Sequence, residues 1–166
     1  MAQNGSANGA YQLITPPNLL KAKVSTGDGG GIDPDLIKQA ESVIDSMSGE
    51  FAESVGHEIA CLMKLALDLE EDMAQAEKIM KKVRSVGHEL RGQGATYDYP
   101  LISDVGASLF RYTERLYSHV ELSADVLRAH ADAMRAVIKN GVRGDGGAVG
   151  ADLVQSLEAL VDRMSG

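Results

Sequence analysis

The chain is poor in aromatic residues and in cysteine. Its 166 residues contain no tryptophan, two phenylalanines and five tyrosines, so a core has to be built mainly from aliphatic side chains, methionine and alanine, a mixture that favours helices. The single cysteine, Cys61, excludes an internal disulfide and fits a reducing compartment. We therefore expect a cytoplasmic protein.

Long hydrophobic runs and an excess of positive charge are also missing. No apolar run reaches about 18 residues, so we expect no membrane span, and the N-terminus lacks the basic start and apolar core of a secretory signal. The net charge of −8 argues against nucleic acid as the main partner, because phosphate contacts need a basic surface. With 44% hydrophobic and 24% charged residues, the composition is that of a globular domain.

Composition divides the chain near residue 31. Residues 1–31 are rich in Asn, Gly and Ser and end in G-D-G-G-G, which predicts a flexible tail and linker. One island in it, Y-Q-L-I-T-P-P-N-L-L-K-A-K-V at 11–24, contains two prolines that disfavour a regular helix. It is either an extended segment lying on the folded domain or a partner, or an unstructured arm. Residues 32–166 are expected to form one domain.

From Ile32 onward, apolar residues recur with helical spacing, and no segment alternates for long enough to predict a strand. Asp33 and Pro34 predict a helix start, and Gly141 predicts a helix end. We predict helices at about 33–48, 50–69, 72–95, from Pro100, 123–140 and 151–164. Neither Gly nor Pro marks the break near 69–72, so the second and third helices could also form one long helix. The expected fold class is all-α, an antiparallel four-helix bundle with an accessory N-terminal helix.

The stretch V-G-H-E-L-R-G-Q-G-A at 86–95 lies in the third predicted helix, whose core-facing side includes Val83. An α-helix turns about 100° per residue, so His88 lies about 140° from Val83 and Gly92 about 180° from it. Both residues are therefore expected to face solvent.

The neighbours of His88 suit this face to phosphoryl chemistry. A neutral imidazole is a nucleophile, and accepting a phosphoryl group adds negative charge to it. Arg84, four residues earlier, and Arg91, three residues later, can offset that charge through charge-assisted hydrogen bonds. Gly92 leaves bare backbone where a partner can approach, although Gly in a helix interior costs about 1 kcal/mol relative to Ala. For Gly94, the end of the helix is an equally good explanation.

The motif H-E-L-R-G at 88–92 resembles the H-x-[LI]-[KR]-G signature of histidine-containing phosphotransfer (Hpt) domains of bacterial phosphorelays. The continuation G-Q-G-A-T-Y-D-Y-P-L-I is similar to bacterial Hpt proteins in which an aromatic turn follows the signature, and the resemblance covers roughly residues 50–140. It implies that His88 is the phosphorylated histidine, that Arg91 assists the phosphoryl group and that Gly92 gives access.

The same resemblance implies the partners. Phosphate is expected to pass between aspartates on receiver domains of a hybrid histidine kinase and a response regulator, with magnesium on the receiver. The chain itself is expected to need no cofactor and to be a phosphorelay intermediate, not an enzyme, since its Gly-rich segments lack the G-K-[ST] of an ATP site. We expect a monomer or weak homodimer with no nucleic-acid or membrane partner.

One departure concerns the polar side chain of the next helix that often orients the imidazole in this family. The corresponding position is near Phe110, which is apolar. Gln93, Tyr97 or Glu114 could substitute for it, or no residue does.

Phe110 also predicts a docking surface. Counting from Val105, Phe110 lies about 140° from the core stripe of its helix, and Ser103, Gly106 and Ala107 also fall outside that stripe. An exposed aromatic amid small residues predicts a patch for the receiver, and the alternative is an exposed aromatic without a role. We expect receiver docking to use Gly92, Gln93 and Phe110.

Two other functions remain open. One is a non-catalytic helical adaptor or dimerisation module, possible through residues 33–48, in which His88 is incidental. The other is a metal- or ligand-binding bundle that uses His57 and His130. For these two histidines we favour structural roles, a polar boundary residue and a packed residue respectively, and we expect no metal ligands, because zinc-ligand spacing is missing. His119 is expected to be solvated at a helix junction.

Overall fold

The computed structural model describes residues 34–115 and 122–165. In these residues the secondary structure is entirely helical, which confirms the all-α class. The α-helices are α1 Pro34–Glu71, α2 Ala76–Gln93, α3 Pro100–Arg115, α4 Ala124–Lys139 and α5 Gly147–Ser165, with 3₁₀ helices at Met73–Gln75 and Gly94–Tyr97. The predictions for residues 1–31, including segment 11–24, and for His119 lie outside the described residues.

Helix α1 is one continuous helix where the sequence predicted two. The predicted break at residue 49 is wrong, because Gly49 is accommodated within the helix at a cost of about 1 kcal/mol. Ser48 beside it is buried and donates a hydrogen bond to the Tyr97 carbonyl oxygen at 3.0 Å. The predicted break near 69–72 is present, where the Asp72 side chain accepts a hydrogen bond from the Ala74 amide at 2.9 Å and caps the next turn.

The two parts of α1 differ in burial. Its C-terminal part buries the apolar stripe that the sequence predicted, namely Phe51, Val55, Ile59, Leu62, Ala66 and Leu69. Its N-terminal part exposes large apolar side chains, namely Leu36, Ile37, Val43, Ile44 and Met47. The contacts within the chain group residues 38–166 into one compact unit. The other unit is residues 1–37, of which the structure describes only residues 34–37.

Among the described helices, α3 packs against several others. It packs most extensively on α2 and also contacts α4 and α5, so residues on several of its sides are buried. Ion pairs join α3 to α5, Arg111 with Glu158 and Arg115 with Asp162. Such exposed pairs contribute about 0–1 kcal/mol each, so α3 is held mainly by its buried side chains.

The C-terminal helix begins earlier than the sequence predicted. Helix α4 ends at Lys139, and Gly141 follows with a positive φ of 59°, as expected of a helix end. The predicted loop 141–150 is too long, because α5 already begins at Gly147. No described helix is both long and apolar enough to cross a membrane.

His130 is a buried residue of the core, as the sequence predicted. Its Nδ1 lies 2.8 Å from the Val126 carbonyl oxygen, which only accepts, so Nδ1 carries the proton. Its Nε2 lies 3.1 Å from Ser108 Oγ on α3, and in the neutral ring it accepts from that hydroxyl. Burial lowers the pKa of His130 from 6.5 to about 4, which keeps the ring neutral at pH 7.

This lowered pKa predicts a loss of stability in mild acid. Below pH 6.5 the unfolded chain binds a proton at residue 130 that the folded chain excludes, so the folded state weakens as pH falls toward 4. Between pH 7.5 and 5.5, the free energy of unfolding should fall by about 1 kcal/mol more in the wild type than in His130→Gln. Urea unfolding at the two pH values measures this difference, with His57→Gln, at an exposed histidine, as control. Parallel pH profiles for wild type and His130→Gln would contradict the assignment.

Candidate functional site

His88 lies exposed on the outer face of α2, where helical periodicity predicted it. Gly87 before it and Leu90 after it are buried, so the backbone at residue 88 is fixed by the core while the imidazole faces out. Gly92, one turn further on, is also exposed, and a Cβ built on it meets no atom within 4 Å. The imidazole and the bare backbone beside it are therefore both open to an approaching molecule.

Two glycines allow α2 and α3 to touch along their backbones beside His88. A Cβ added to Gly87 would lie 2.9 Å from the Phe110 amide nitrogen and 3.1 Å from the Gly106 carbonyl oxygen. A Cβ added to Gly106 would lie 2.7 Å from the Arg91 amide nitrogen. These distances are too short for any side chain, and the atoms concerned belong to the backbone. The site therefore depends on two positions at which only glycine fits.

This close contact places Phe110 of α3 among the basic residues of α2. The guanidinium carbons of Arg84 and Arg91 each lie 4.5 Å from the centroid of the Phe110 ring, which is within cation–π distance. The His88 ring centroid is 5.7 Å from that of Phe110, at an interplanar angle of 46°. The predicted site residues Arg84, His88 and Arg91 are therefore brought together around one aromatic ring.

The predicted docking patch on α3 is wrong in part. Ser103 and Gly106 are buried, and Ala107 and Phe110 are half-buried. The reason is that α3 packs on α2 with the side that the sequence assigned to solvent. Ser103 Oγ accepts a hydrogen bond from the Ala95 amide at 2.9 Å and so helps to fix the 3₁₀ helix Gly94–Tyr97 that follows α2.

The three glycines of the motif region have different environments. Gly87 is needed for the contact between helices, and Gly92 is open. Gly94 follows the last residue of α2, which fits the alternative that it ends the helix, but it is buried, and a Cβ on it would lie 2.7 Å from Ser103 Oγ. Only Gly92 of the three therefore matches the expectation of free access for a partner.

The three candidates for orienting His88 have other described partners. Gln93 donates to Glu89 at 3.4 Å, and Glu114 Oε1 lies 3.5 Å from Arg84 Nη2. Tyr97 stacks on Phe51, with ring centroids 4.8 Å apart. In the residues that the structure describes, the imidazole of His88 contacts the ring of Phe110.

Within residues 34–115 and 122–165, His88 and Gly92 lie on an exposed surface. A cleft of about 400 Å³ lies along α5 near Glu158, and one of about 200 Å³ lies between Phe51 and Gln93, and His88 lines neither of them. Small-molecule sites are usually concave, so the exposed face around His88 suits a macromolecular partner better.

A metal site built from His57 and His130 finds no support in these positions. His130 is fully buried and both of its ring nitrogens lie within hydrogen-bonding distance of protein groups, whereas His57 is exposed on α1. In residues 34–115 and 122–165, no three side chains of His, Cys, Asp or Glu are grouped so that they could hold a metal ion.

Comparison of the chain with models of known protein families, with curated proteins and with solved structures found no match. The fold and the site define an all-α chain that presents an exposed histidine beside two arginines.

The glycine contact predicts opposite effects for two alanine substitutions. Gly106→Ala should destabilise the fold by about 1–3 kcal/mol, because its Cβ meets the backbone of α2. Gly92→Ala is the matched control and should stabilise the fold by up to about 1 kcal/mol. Alanine favours a helix more than glycine does, and its Cβ at this position would meet no other atom within 4 Å. Urea unfolding measures both changes. A Gly106→Ala variant as stable as the wild type would show that the two backbones are not in contact.

Proposed function

We propose that the chain is a histidine phosphotransfer protein of a bacterial phosphorelay, in which His88 shuttles a phosphoryl group between receiver-domain aspartates. The observation that carries the proposal is the exposed imidazole of His88 with two guanidiniums on the neighbouring ring of Phe110. The motif H-E-L-R-G at 88–92, which resembles the Hpt signature, supports the same function.

The transfer step follows from the chemistry of the groups. A ring nitrogen of His88 attacks the phosphorus of an aspartyl phosphate; the P–N bond forms as the P–O bond to the aspartate breaks, and the electron pair leaves with the carboxylate. The proton on the other ring nitrogen balances the charge or passes to solvent. The second receiver's aspartate then attacks the same phosphorus and regenerates the imidazole. Magnesium is supplied by the receiver, and this chain supplies a positioned nucleophile.

Arg84 and Arg91 have distinct contributions to this step. The phosphorylated imidazole carries added negative charge, and guanidinium N–H groups stabilise phosphoryl oxygens through charge-assisted hydrogen bonds. Glu114 lies 3.5 Å from Arg84 and offsets part of its charge. Arg91 is exposed beside Gly92, so we assign it the larger part in holding the phosphoryl group.

We propose that the C-terminal part of α1 with α2, α3 and α4 forms an antiparallel four-helix bundle, with the N-terminal part of α1 as an accessory segment. The buried stripes of these four helices support it. A phosphorelay intermediate of this kind works in the cytoplasm, in contact with receiver domains and without a nucleotide of its own.

Transfer from a phosphorylated receiver domain tests the function. Incubation with a panel of phosphorylated receivers from the source organism should give acid-labile, alkali-stable phosphate on His88, mapped by mass spectrometry. The variant His88→Gln should take up no label, because it lacks the nucleophile, and His57→Gln, at another exposed histidine, should be labelled like the wild type. Label on His57 or His130, or none from any receiver, would overturn the proposal.

A second candidate function is a helical adaptor or dimerisation module in which His88 has no chemical role. The exposed apolar side chains of the N-terminal part of α1 favour it, since Val43 and Ile44 are each 58% exposed and Met47 is 44% exposed. Apolar side chains grouped in this way commonly mark a contact with another protein. If the His88→Gln variant signals as the wild type does, the protein is such an adaptor or dimerisation module.

Self-association through α1 has its own test. Because Ile44 is exposed, Ile44→Asp should leave the fold intact and weaken any dimer by placing a charge in its apolar contact. Analytical ultracentrifugation should show weak, concentration-dependent dimers for the wild type and monomers for the variant, with unchanged labelling of His88 in both. A wild type that stays monomeric at about 0.5 mM would exclude a dimer even with a Kd of about 1 mM.

A further inference from the structure

We infer that Phe110 is a positioning residue, which holds the guanidiniums of Arg84 and Arg91 beside His88 through its aromatic face. The inference rests on the proposed function of His88 and goes beyond it by assigning what aims the basic side chains. The position is the one at which the Hpt resemblance led us to expect a polar orienting side chain, and here it is aromatic.

Both guanidinium groups lie close to the ring of Phe110. Arg84 and Arg91 are two helical turns apart on α2, roughly 10.5 Å along its axis, yet both guanidinium carbons lie 4.5 Å from the Phe110 centroid. Two like charges repel, and long side chains on an exposed helix face lose conformational freedom when they are fixed. The ring of Phe110 attracts both guanidiniums and so offsets these costs, whereas Glu114, 3.5 Å from Arg84, attracts Arg84 alone.

An aromatic ring holds a cation in a way that a carboxylate does not. The ring face attracts a guanidinium electrostatically but carries no charge, so it neutralises none of the arginine's charge. A carboxylate would neutralise the arginine and occupy its N–H groups. On Phe110, the N–H groups of Arg91 stay available for phosphoryl oxygens on His88.

The backbone contact makes Phe110 a fixed support. Its amide nitrogen and Cα are the atoms that a Cβ on Gly87 would meet at 2.9 and 3.1 Å, so residue 110 lies directly against the residue that precedes His88. The ring is half-buried, and its centroid is 5.7 Å from that of His88. The ring, the imidazole and the two guanidiniums thus share one rigid base.

The test compares Phe110→Leu with Phe110→Trp. Leucine keeps an apolar side chain without an aromatic face, and tryptophan keeps the face and strengthens cation–π attraction. With a phosphorylated receiver as donor, Phe110→Leu should lower the rate of transfer to His88 by about three- to tenfold, and Phe110→Trp should restore most of it. In an Arg91→Ala background, Phe110→Leu should have a smaller effect, because part of what the ring positions is gone. Equal rates for the Leu variant and wild type, or equal losses in both backgrounds, would overturn the inference.

A second measurement does not depend on transfer. NMR relaxation of the Arg91 Nε–H group should show an ordered side chain in wild type and Phe110→Trp, and a mobile one in Phe110→Leu. Unchanged order in the Leu variant would overturn the inference even if His88 is labelled. An ordered Arg91 in the wild type with no labelling of His88 by any receiver would instead reject the proposed function and keep the positioning role.

Discussion

The contact on which the site depends is the approach of two helix backbones at Gly87 and Gly106. A side chain at either position would meet the backbone of the facing helix, at 2.9 Å and 2.7 Å respectively. The contact brings α3 close enough for Phe110 to lie beneath the face of α2 that carries His88. Closely packed helices have little freedom to shift relative to each other. The absence of side chains at the two glycines therefore fixes where Phe110 lies relative to His88.

Electrostatics adds to this geometry. The chain is acidic as a whole, with a net charge of −8, but Arg84 and Arg91 gather beside His88 on an uncharged ring. A local cationic group on an acidic protein can stabilise a phosphoryl group without attracting nucleic acid generally. In the proposed phosphotransfer, the open surface around His88 means that specificity would come from the shape and charge of the receiver domain and not from an enclosing pocket.

Sequence periodicity correctly predicted which residues of a single helix are exposed and which are buried. The exposure of His88 and Gly92 and the burial of the stripe from Phe51 to Leu69 follow from a turn of about 100° per residue.

The same reasoning failed for Ser103 and Gly106, because it assumed that α3 has one buried side, whereas α3 packs against several helices. The placement of Phe110 between two arginines depends on the register between α2 and α3, which no single helix encodes. The pairing of Gly87 with Gly106 was the available signal, since isolated glycines in helices often mark close packing.

The most direct measurement is a set of nuclear Overhauser effects in solution. The account predicts contacts from the Phe110 ring protons to the side chains of Arg84, His88 and Arg91, and from the Gly106 α-protons to the Arg91 amide. If the Phe110 ring shows no contact to either arginine and Gly106 shows none to Arg91, α2 and α3 are not in close contact and the account is wrong.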